Sequence, residues 1–237
     1  YELVLSKFIR KAIRINTLKA KTSDIRKRLS SNFKLTKIPW CNEGFWIESE
    51  RRDFGNLYEH QLGYIYIQEA ASMVPPIILD PEKTDIVLDV ASSPGSKTTQ
   101  MAAMMENSGL IIANDLTYHR MLPLSHNLQR CGVINAITTI SDGTRLRGNF
   151  DKILLDAPCT GVGTIRGPTG NSAYTMQTYS QNKTKTLSGI QKKLILNAYN
   201  NLKEKGVLVY STCSLEPEED EEVVQFLLEN TNAKLGK

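Results

Sequence analysis

The segment Ile86-Val87-Leu88-Asp89-Val90-Ala91-Ser92-Ser93-Pro94-Gly95-Ser96-Lys97-Thr98 runs from an apolar stretch through a turn of small residues into a helical stretch, Thr98 to Asn107. A short apolar run reads as a buried strand, and a Ser, Pro and Gly turn that opens a helix reads as the first unit of an alternating α/β fold. Comparable runs recur at Leu110 to Asn114, Ala136 to Ile140, Lys152 to Asp156 and Gly206 to Tyr210. Helical stretches accompany them at Arg120 to Cys131, Gly189 to Lys203 and Glu218 to Glu229. Apolar strands separated by helices predict an α/β fold with a doubly wound, mostly parallel sheet covered on both faces. The polar stretch Gly167 to Ser188 predicts a long loop, a feature more often functional than idle in a compact domain.

Upstream the organisation changes. Ala12 to Leu18 predicts a strand, Ser23 to Leu29 a helix capped near Thr22 or Ser23, and Gly44 to Glu48 another strand. The expectation is a small basic α+β domain over residues 1–60 followed by the α/β domain over residues 61–237. Charge follows the same division: residues 1–60 carry 13 Lys and Arg against 7 Asp and Glu, whereas the remainder carries 16 against 18. Arg10, Lys11, Arg14, Lys19, Lys21, Arg26, Lys27, Arg28, Lys34 and Lys37 make a candidate phosphate-tracking surface, the plain alternative being a solvated helix face.

Composition narrows the class. With 41% hydrophobic and 23% charged residues in 237, the chain is a folded globular protein and not a disordered or coiled-coil one. No apolar run is long enough to cross a bilayer. The four cysteines at 41, 131, 159 and 213 form no C-x-x-C pair and there are three histidines, so neither a zinc site nor a disulfide framework is expected. A cytoplasmic setting with free thiols is the expectation, and free thiols can be nucleophiles.

Ligands of open α/β sheets sit beyond the carboxyl ends of the strands, and here four strands end at or beside an acid: Asp89, Asp115, Asp142 and Asp156. Asp115, 26 positions after Asp89, is placed to accept hydrogen bonds from ribose hydroxyls. The turn before Lys97 fits neither a P-loop nor G-x-G-x-x-G. What remains is a nucleoside cofactor with little phosphate to hold, for which S-adenosylmethionine is the candidate. The plain alternative is that these acids merely end strands.

Two cysteines follow the last two strands, in Asp156-Ala157-Pro158-Cys159-Thr160-Gly161 and Tyr210-Ser211-Thr212-Cys213-Ser214. Neighbouring strand ends would bring both sulfurs to one pocket, whereas Cys41 and Cys131 read as small core residues. Carbon 5 of a pyrimidine becomes nucleophilic once a thiolate adds at carbon 6, so a Cys and an Asp beside a methyl donor suit methylation there.

These two motifs, with Arg14-Ile15-Asn16-Thr17-Leu18-Lys19 and Tyr66-Ile67-Gln68-Glu69-Ala70-Ala71-Ser72, resemble the Nop/Sun family of RNA cytosine-5 methyltransferases, from about residue 12 to residue 229. The resemblance implies a Rossmann-like methyltransferase domain preceded by a small RNA-binding domain. It implies that Cys213 attacks carbon 6 of the cytosine, that Cys159 assists release, and that Asp156 binds the base at ring nitrogen 3 and its amino group. It also implies that Ala91, Ser92, Ser93, Pro94, Gly95, Ser96 and Lys97 wrap S-adenosylmethionine, with Asp115 and Arg120 at the ribose and Asp142 at the adenine amino group. The first turn departs from the commoner Ala-Ala-Pro-Gly-Gly-Lys at Ser96, and Asp220 stands where Asn is usual. Pro217 is expected to open the last helix, with Glu218, Glu219 and Asp220 complementing its dipole.

The substrate expected is single-stranded, looped or flipped-out RNA, without membrane or metal, met by a monomer. One small N-terminal domain favours transfer RNA, while Ile38 to Ile47 resembles bacterial ribosomal members. Trp40 and Trp46 suit packing in the small domain before base stacking. Eight residues follow Glu229, too few for the antiparallel hairpin usual in this fold, and Ala233-Lys234-Leu235 resembles its final strand, so an internal segment is expected to be missing. The rival class is a non-catalytic RNA-binding assembly factor, which would have no need of both cysteines and all four acids.

Overall fold

Strands that are apolar on both sides need a cover on each, and the arrangement follows from that requirement. The computed structural model describes residues 10–51, 53–165, 177 and 179–236. Strands β1 (Ala12–Ile15), β2 (Lys34–Lys37), β3 (Gly44–Glu48) and β4 (Ile65–Ile67) form an antiparallel sheet ordered β2-β3-β1-β4, with helices α1 (Thr22–Ser30) and α2 (Tyr58–Gln61) in the same part of the chain. Along β1 the pleat sends Ile13 and Ile15 into a core with Ile25, Leu29, Phe45 and Ile65, and it puts Ala12 and Arg14 on the opposite face. The fourth strand of this sheet lies beyond residue 60.

After α3 (Val74–Leu79) come β5 (Ile86–Asp89), α4 (Ser96–Met104), β6 (Leu110–Asp115), α5 (Tyr118–Cys131), β7 (Ala136–Ile140), β8 (Phe150–Asp156), α6 (Gln181–Asn200), β9 (Leu202–Ser211) and α7 (Glu221–Asn230). The five strands pair in parallel in the order β7-β6-β5-β8-β9. Val87, Ile111 and Leu154 face Met101, Leu124 and Leu128 of α4 and α5, whereas Leu88, Ile153 and Leu155 face Leu194, Ile195 and Val223 of α6 and α7. This is a Rossmann-like, doubly wound sheet. The strand order reverses between β5 and β8, and the crevice at such a switch point is where ligands of these sheets bind.

Several boundaries differ from expectation. The first strand ends at Ile15, not Leu18, and α1 starts without a side-chain cap, because Ser23 Oγ donates to its neighbour Asp24. Helix α6 begins at Gln181, inside the expected loop, where Ser180 Oγ accepts from Lys183 N and caps it. Of that loop, residues 167–176 and 178 lie outside the described residues. Strand β9 starts at Leu202, inside the expected helix, because Phe150 pairs with Leu202. The last helix starts at Glu221, after a turn in which Pro217 O accepts from Glu222 N, so Pro217 does not open it. Ala233 to Leu235 forms no strand.

Candidate active site

The parallel register sets Asp156 opposite Ser211 at the ends of β8 and β9, and Ala157 N donates to Ser211 O at 2.8 Å. The residues that follow both strands therefore run side by side. Cys159 Sγ and Cys213 Sγ stand 2.8 Å apart, and Cys213 N donates to Cys159 Sγ at 3.3 Å. The two thiols share a hydrogen bond, which lowers the Cys213 pKa, with Lys97 favouring its thiolate; the same hydrogen bond, and then burial, raises that of Cys159. Cys213 is the more exposed of the two residues.

Asp156 lies between two donors. Lys97 Nζ donates to its Oδ2 at 2.7 Å, and Ser211 Oγ to its Oδ1 at 2.7 Å. Lys97 comes from α4, whose start is set by Gly95: at φ +100° the backbone is left-handed, and a Cβ there would lie 3.0 Å from the Leu124 side chain. A cavity of about 710 Å³ opens beside these groups, walled by Lys97, Asp156 and Cys213 on one side and by Arg10, Trp46 and Glu69 on the other. Its volume lies within the range of small-molecule sites.

The remaining expected residues cluster at the ends of β5, β6 and β7. Ser93 N donates to Asp115 Oδ2 at 3.0 Å, and Leu116 N and Arg120 Nε donate to Oδ1 at 2.8 and 2.7 Å. Arg120 therefore sits on Asp115, and it also donates to Ser93 O. Ser92 Oγ donates to Asn114 O, and Pro94 O accepts from Asn127 and Tyr66. Ala91 is half-buried, and Ser96 O accepts from Arg14. Asp142 Oδ1 accepts from Thr144 N and Oγ1, which lowers its pKa. Asn114 Nδ2 reaches Val90 O and Ser141 O, tying the three strand ends together.

This donor set suits an adenosyl cofactor better than a phosphate chain. Carboxylates with spare lone pairs end β6 and β7, and Lys97 is committed to Asp156. Asp89 itself is 1% exposed, accepts from Thr98 Oγ1 at 2.7 Å, and has its pKa raised to about 7 by burial first and by Asp156 and Asp115 after it. Among the described residues no cluster of three His, Cys, Asp or Glu could hold a metal ion, and no helix is long and apolar enough to cross a membrane.

Several expectations are corrected. Arg14 does not belong to a phosphate-tracking surface. It is 2% exposed and donates to Gln68 Oε1, Thr99 Oγ1 and Ser96 O, binding the first sheet to the start of α4. Asn16 ties the same sheet to the end of α5, donating to Cys131 O and to Gly63 O. Glu219 does not complement a helix end. It is 0% exposed and lies behind the two cysteines. Trp40 packs edge-on against Trp46, with ring centroids 5.8 Å apart, and donates to Ala70 O. Arg10 stacks over Trp46 at 4.1 Å, a cavity wall that no sequence motif announced.

A family model described as 16S rRNA methyltransferase RsmB/F matches residues 76–236, and one described as the N-terminal domain of 16S rRNA methyltransferase RsmF matches residues 2–70. The chain is 50% identical to a tRNA (cytosine(49)-C(5))-methyltransferase of Pyrococcus abyssi, over 98% of this chain and 75% of the relative. It is 47% identical to a ribosomal RNA small subunit methyltransferase F of Psychromonas ingrahamii, over 92% of this chain and 47% of that one. It spans, then, about three quarters of the archaeal relative and about half of the bacterial one. A solved methyltransferase homologue from Pyrococcus horikoshii superposes with a TM-score of 0.83 at 42% identity, covering 94% of this chain and 71% of its own.

Proposed function

Because the chain belongs to the RsmB/F family, also called Nop/Sun, we propose that it methylates carbon 5 of a cytosine in RNA from S-adenosylmethionine, with transfer RNA the favoured substrate. The observation that carries this reading is the pair of sulfurs 2.8 Å apart beside Asp156. S-adenosylmethionine supplies an electrophilic methyl group when bound. Ala91 to Lys97 would wrap it, with Asp115 and Arg120 at the ribose and Asp142 at the adenine amino group.

The chain's own residues supply the rest. Cys213, whose pKa the shared hydrogen bond lowers, attacks as the thiolate and forms the Sγ–C6 bond, which makes carbon 5 nucleophilic. Asp156, held between Lys97 and Ser211, meets ring nitrogen 3 and the amino group and steadies the adduct. Once Cys213 is alkylated it no longer shares a proton with Cys159. The hydrogen bond that raises the Cys159 pKa is then gone; Cys159 loses its proton to solvent and, as the thiolate, takes the proton from carbon 5 while the electrons of that C–H bond expel Cys213 as a thiolate.

Transfer RNA is favoured by the match to the archaeal relative, which is both higher in identity and longer in coverage than the ribosomal one. A ribosomal substrate is the second reading, favoured by the family model over residues 2–70. The test incubates the protein with methyl-labelled cofactor and, separately, unmodified transfer RNA and ribosomal RNA. Label in 5-methylcytidine from one pool is the expected result and chooses the substrate, and cofactor binding without label in either pool would overturn the reading. Cys213→Ala should abolish turnover, and Cys159→Ala should accumulate a covalent RNA adduct visible on a denaturing gel.

A further inference from the structure

We propose that Glu219 is a positioning residue that holds the two cysteines at their reacting distance. The inference rests on Cys159 and Cys213 being the reacting pair. Glu219 lies in the turn between β9 and α7 and is 0% exposed. Its Oε2 accepts from Thr160 Oγ1 at 2.5 Å and from Ser214 Oγ at 2.6 Å, and its Oε1 accepts from Thr160 N at 3.0 Å and Gln191 Nε2 at 3.0 Å. Thr160 immediately follows Cys159, and Ser214 immediately follows Cys213. One carboxylate thus grips the residue after each sulfur. Gln191 Nε2 also donates to Pro158 O at 2.8 Å, so the same knot holds the residue before Cys159.

No cation is among these partners, and a buried carboxylate costs stability unless donors satisfy it. An apolar side chain would fill the space at less cost. What it cannot do is accept four hydrogen bonds from three segments at once. The two loops also meet directly, through Thr160 Oγ1 and Ser214 Oγ at 3.2 Å, Cys213 N to Cys159 Sγ at 3.3 Å and Gly163 N to Cys213 O at 3.0 Å, and the carboxylate ties these contacts to Gln191 of α6.

The experiment uses the full chain and phenylarsine oxide, whose arsenic joins two neighbouring thiols. Two As–S bonds form, the oxygen leaves as water with the two thiol protons, and nothing is oxidised or reduced. This readout needs no methylation, so it separates the proposal from the proposed activity. The wild-type protein is expected to chelate the arsenical and Cys159→Ala to lose it, since Cys41 and Cys131 are buried. Glu219→Gln presents an amide NH2 to a ring of donors, and its arsenical affinity should fall about tenfold or more. Its kcat should fall roughly a hundredfold with KM little changed, the scale of a small misplacement of reacting groups. Should that variant fail to fold, Thr160→Val and Ser214→Ala each remove one donor, and each should weaken chelation, the pair together by less than the sum. Wild-type chelation in a folded Glu219→Gln, or in both substitute variants, would overturn the proposal, as would undiminished chelation in Cys159→Ala.

Discussion

Arg14, in the seam between the two sheets, and Glu219, behind the cysteines, are both buried charges, 2% and 0% exposed. Neither has an opposite charge among its hydrogen-bond partners. Arg14 donates to an amide, a hydroxyl and a carbonyl, whereas Glu219 accepts from hydroxyls, an amide and a backbone N–H. The difference lies in what each holds. Arg14 spreads a rigid fork of donors from β1 to Gln68 and to the start of α4, so it fixes one sheet to the turn at Ser96. Glu219 gathers donors from the two cysteine loops and from α6 onto one carboxylate. A charge ringed by neutral dipoles contributes geometry, and the cost of burying it is offset only when every partner is present.

The strongest way to break this comparison is Arg14→Met. It leaves Gln68 Oε1 without a donor, while Thr99 Oγ1 still donates to Ser96 O; an orphaned buried group costs about 1–3 kcal/mol, and the hydrogen bonds that Thr99 and Ser96 accept from the charged guanidinium are lost as well. Part of that is returned because no charge is buried, so a loss of about 4 kcal/mol in urea unfolding is expected. Arg14→Lys keeps the charge but lacks the fork, and it should recover less than half of the loss. Full recovery by Lys would show that charge, and not the spread of donors, is what the seam requires. S-adenosylmethionine affinity measured by calorimetry should fall in both variants, because Ser96 O belongs to the first turn.

Asp89 sharpens the comparison because it is buried with one side-chain donor, Thr98 Oγ1, where the other two have three or four contacts. It yields by holding a proton: burial raises its pKa to about 7. In the unfolded chain it titrates near 4, so between about pH 4 and 7 the folded state binds the extra proton. Stability is therefore gained as pH falls from 8 to 5 and lost as it rises through 7. Relative to Asp89→Asn, which cannot titrate, the wild type should gain about 3 kcal/mol over that range. A difference that stays flat with pH would mean that Asp89 is as well satisfied as Glu219.

The cysteine site was legible because its logic is local plus one rule. Asp156 to Cys159 and Ser211 to Cys213 each follow an apolar run, and parallel neighbours bring their ends together. The strand-end acids were legible for the same reason. The seam was not. Arg14 stands in a run of basic residues, and nothing in its type distinguishes it from Lys11 or Lys19; the clue was the alternation that puts Ile13 and Ile15 on one face and Ala12 and Arg14 on the other. Glu219 is hidden likewise among the acids of residues 216–222. The first turns of α6, Gln181 to Ser188, carry Thr184 and Ser188 inward where an apolar stripe would have announced a helix. Strand β9 opens on Lys203, Glu204 and Lys205, which read as a helix end until Phe150 supplies a partner.

Asp220 offers the finest test, because it extends the Glu219 knot by one residue. Its Oδ1 accepts from Thr212 Oγ1 at 2.6 Å, and that oxygen in turn accepts from Ser214 N at 3.0 Å, so Asp220 orients the residue before Cys213. An amide oxygen can accept the same hydrogen bond. Asp220→Asn should therefore keep kcat within about twofold and change stability by less than about 0.5 kcal/mol at neutral pH. Burial raises the Asp220 pKa, so the ionised carboxylate is slightly disfavoured in the fold; any advantage of Asn should be fully present at neutral pH and fade as the pH is lowered through the raised pKa of Asp220. The outcome separates two kinds of acid in one turn: Glu219, whose two oxygens are both required, and Asp220, for which one acceptor suffices. A fall in kcat as large as that expected of Glu219→Gln would place the charge of Asp220 within the knot and erase the distinction.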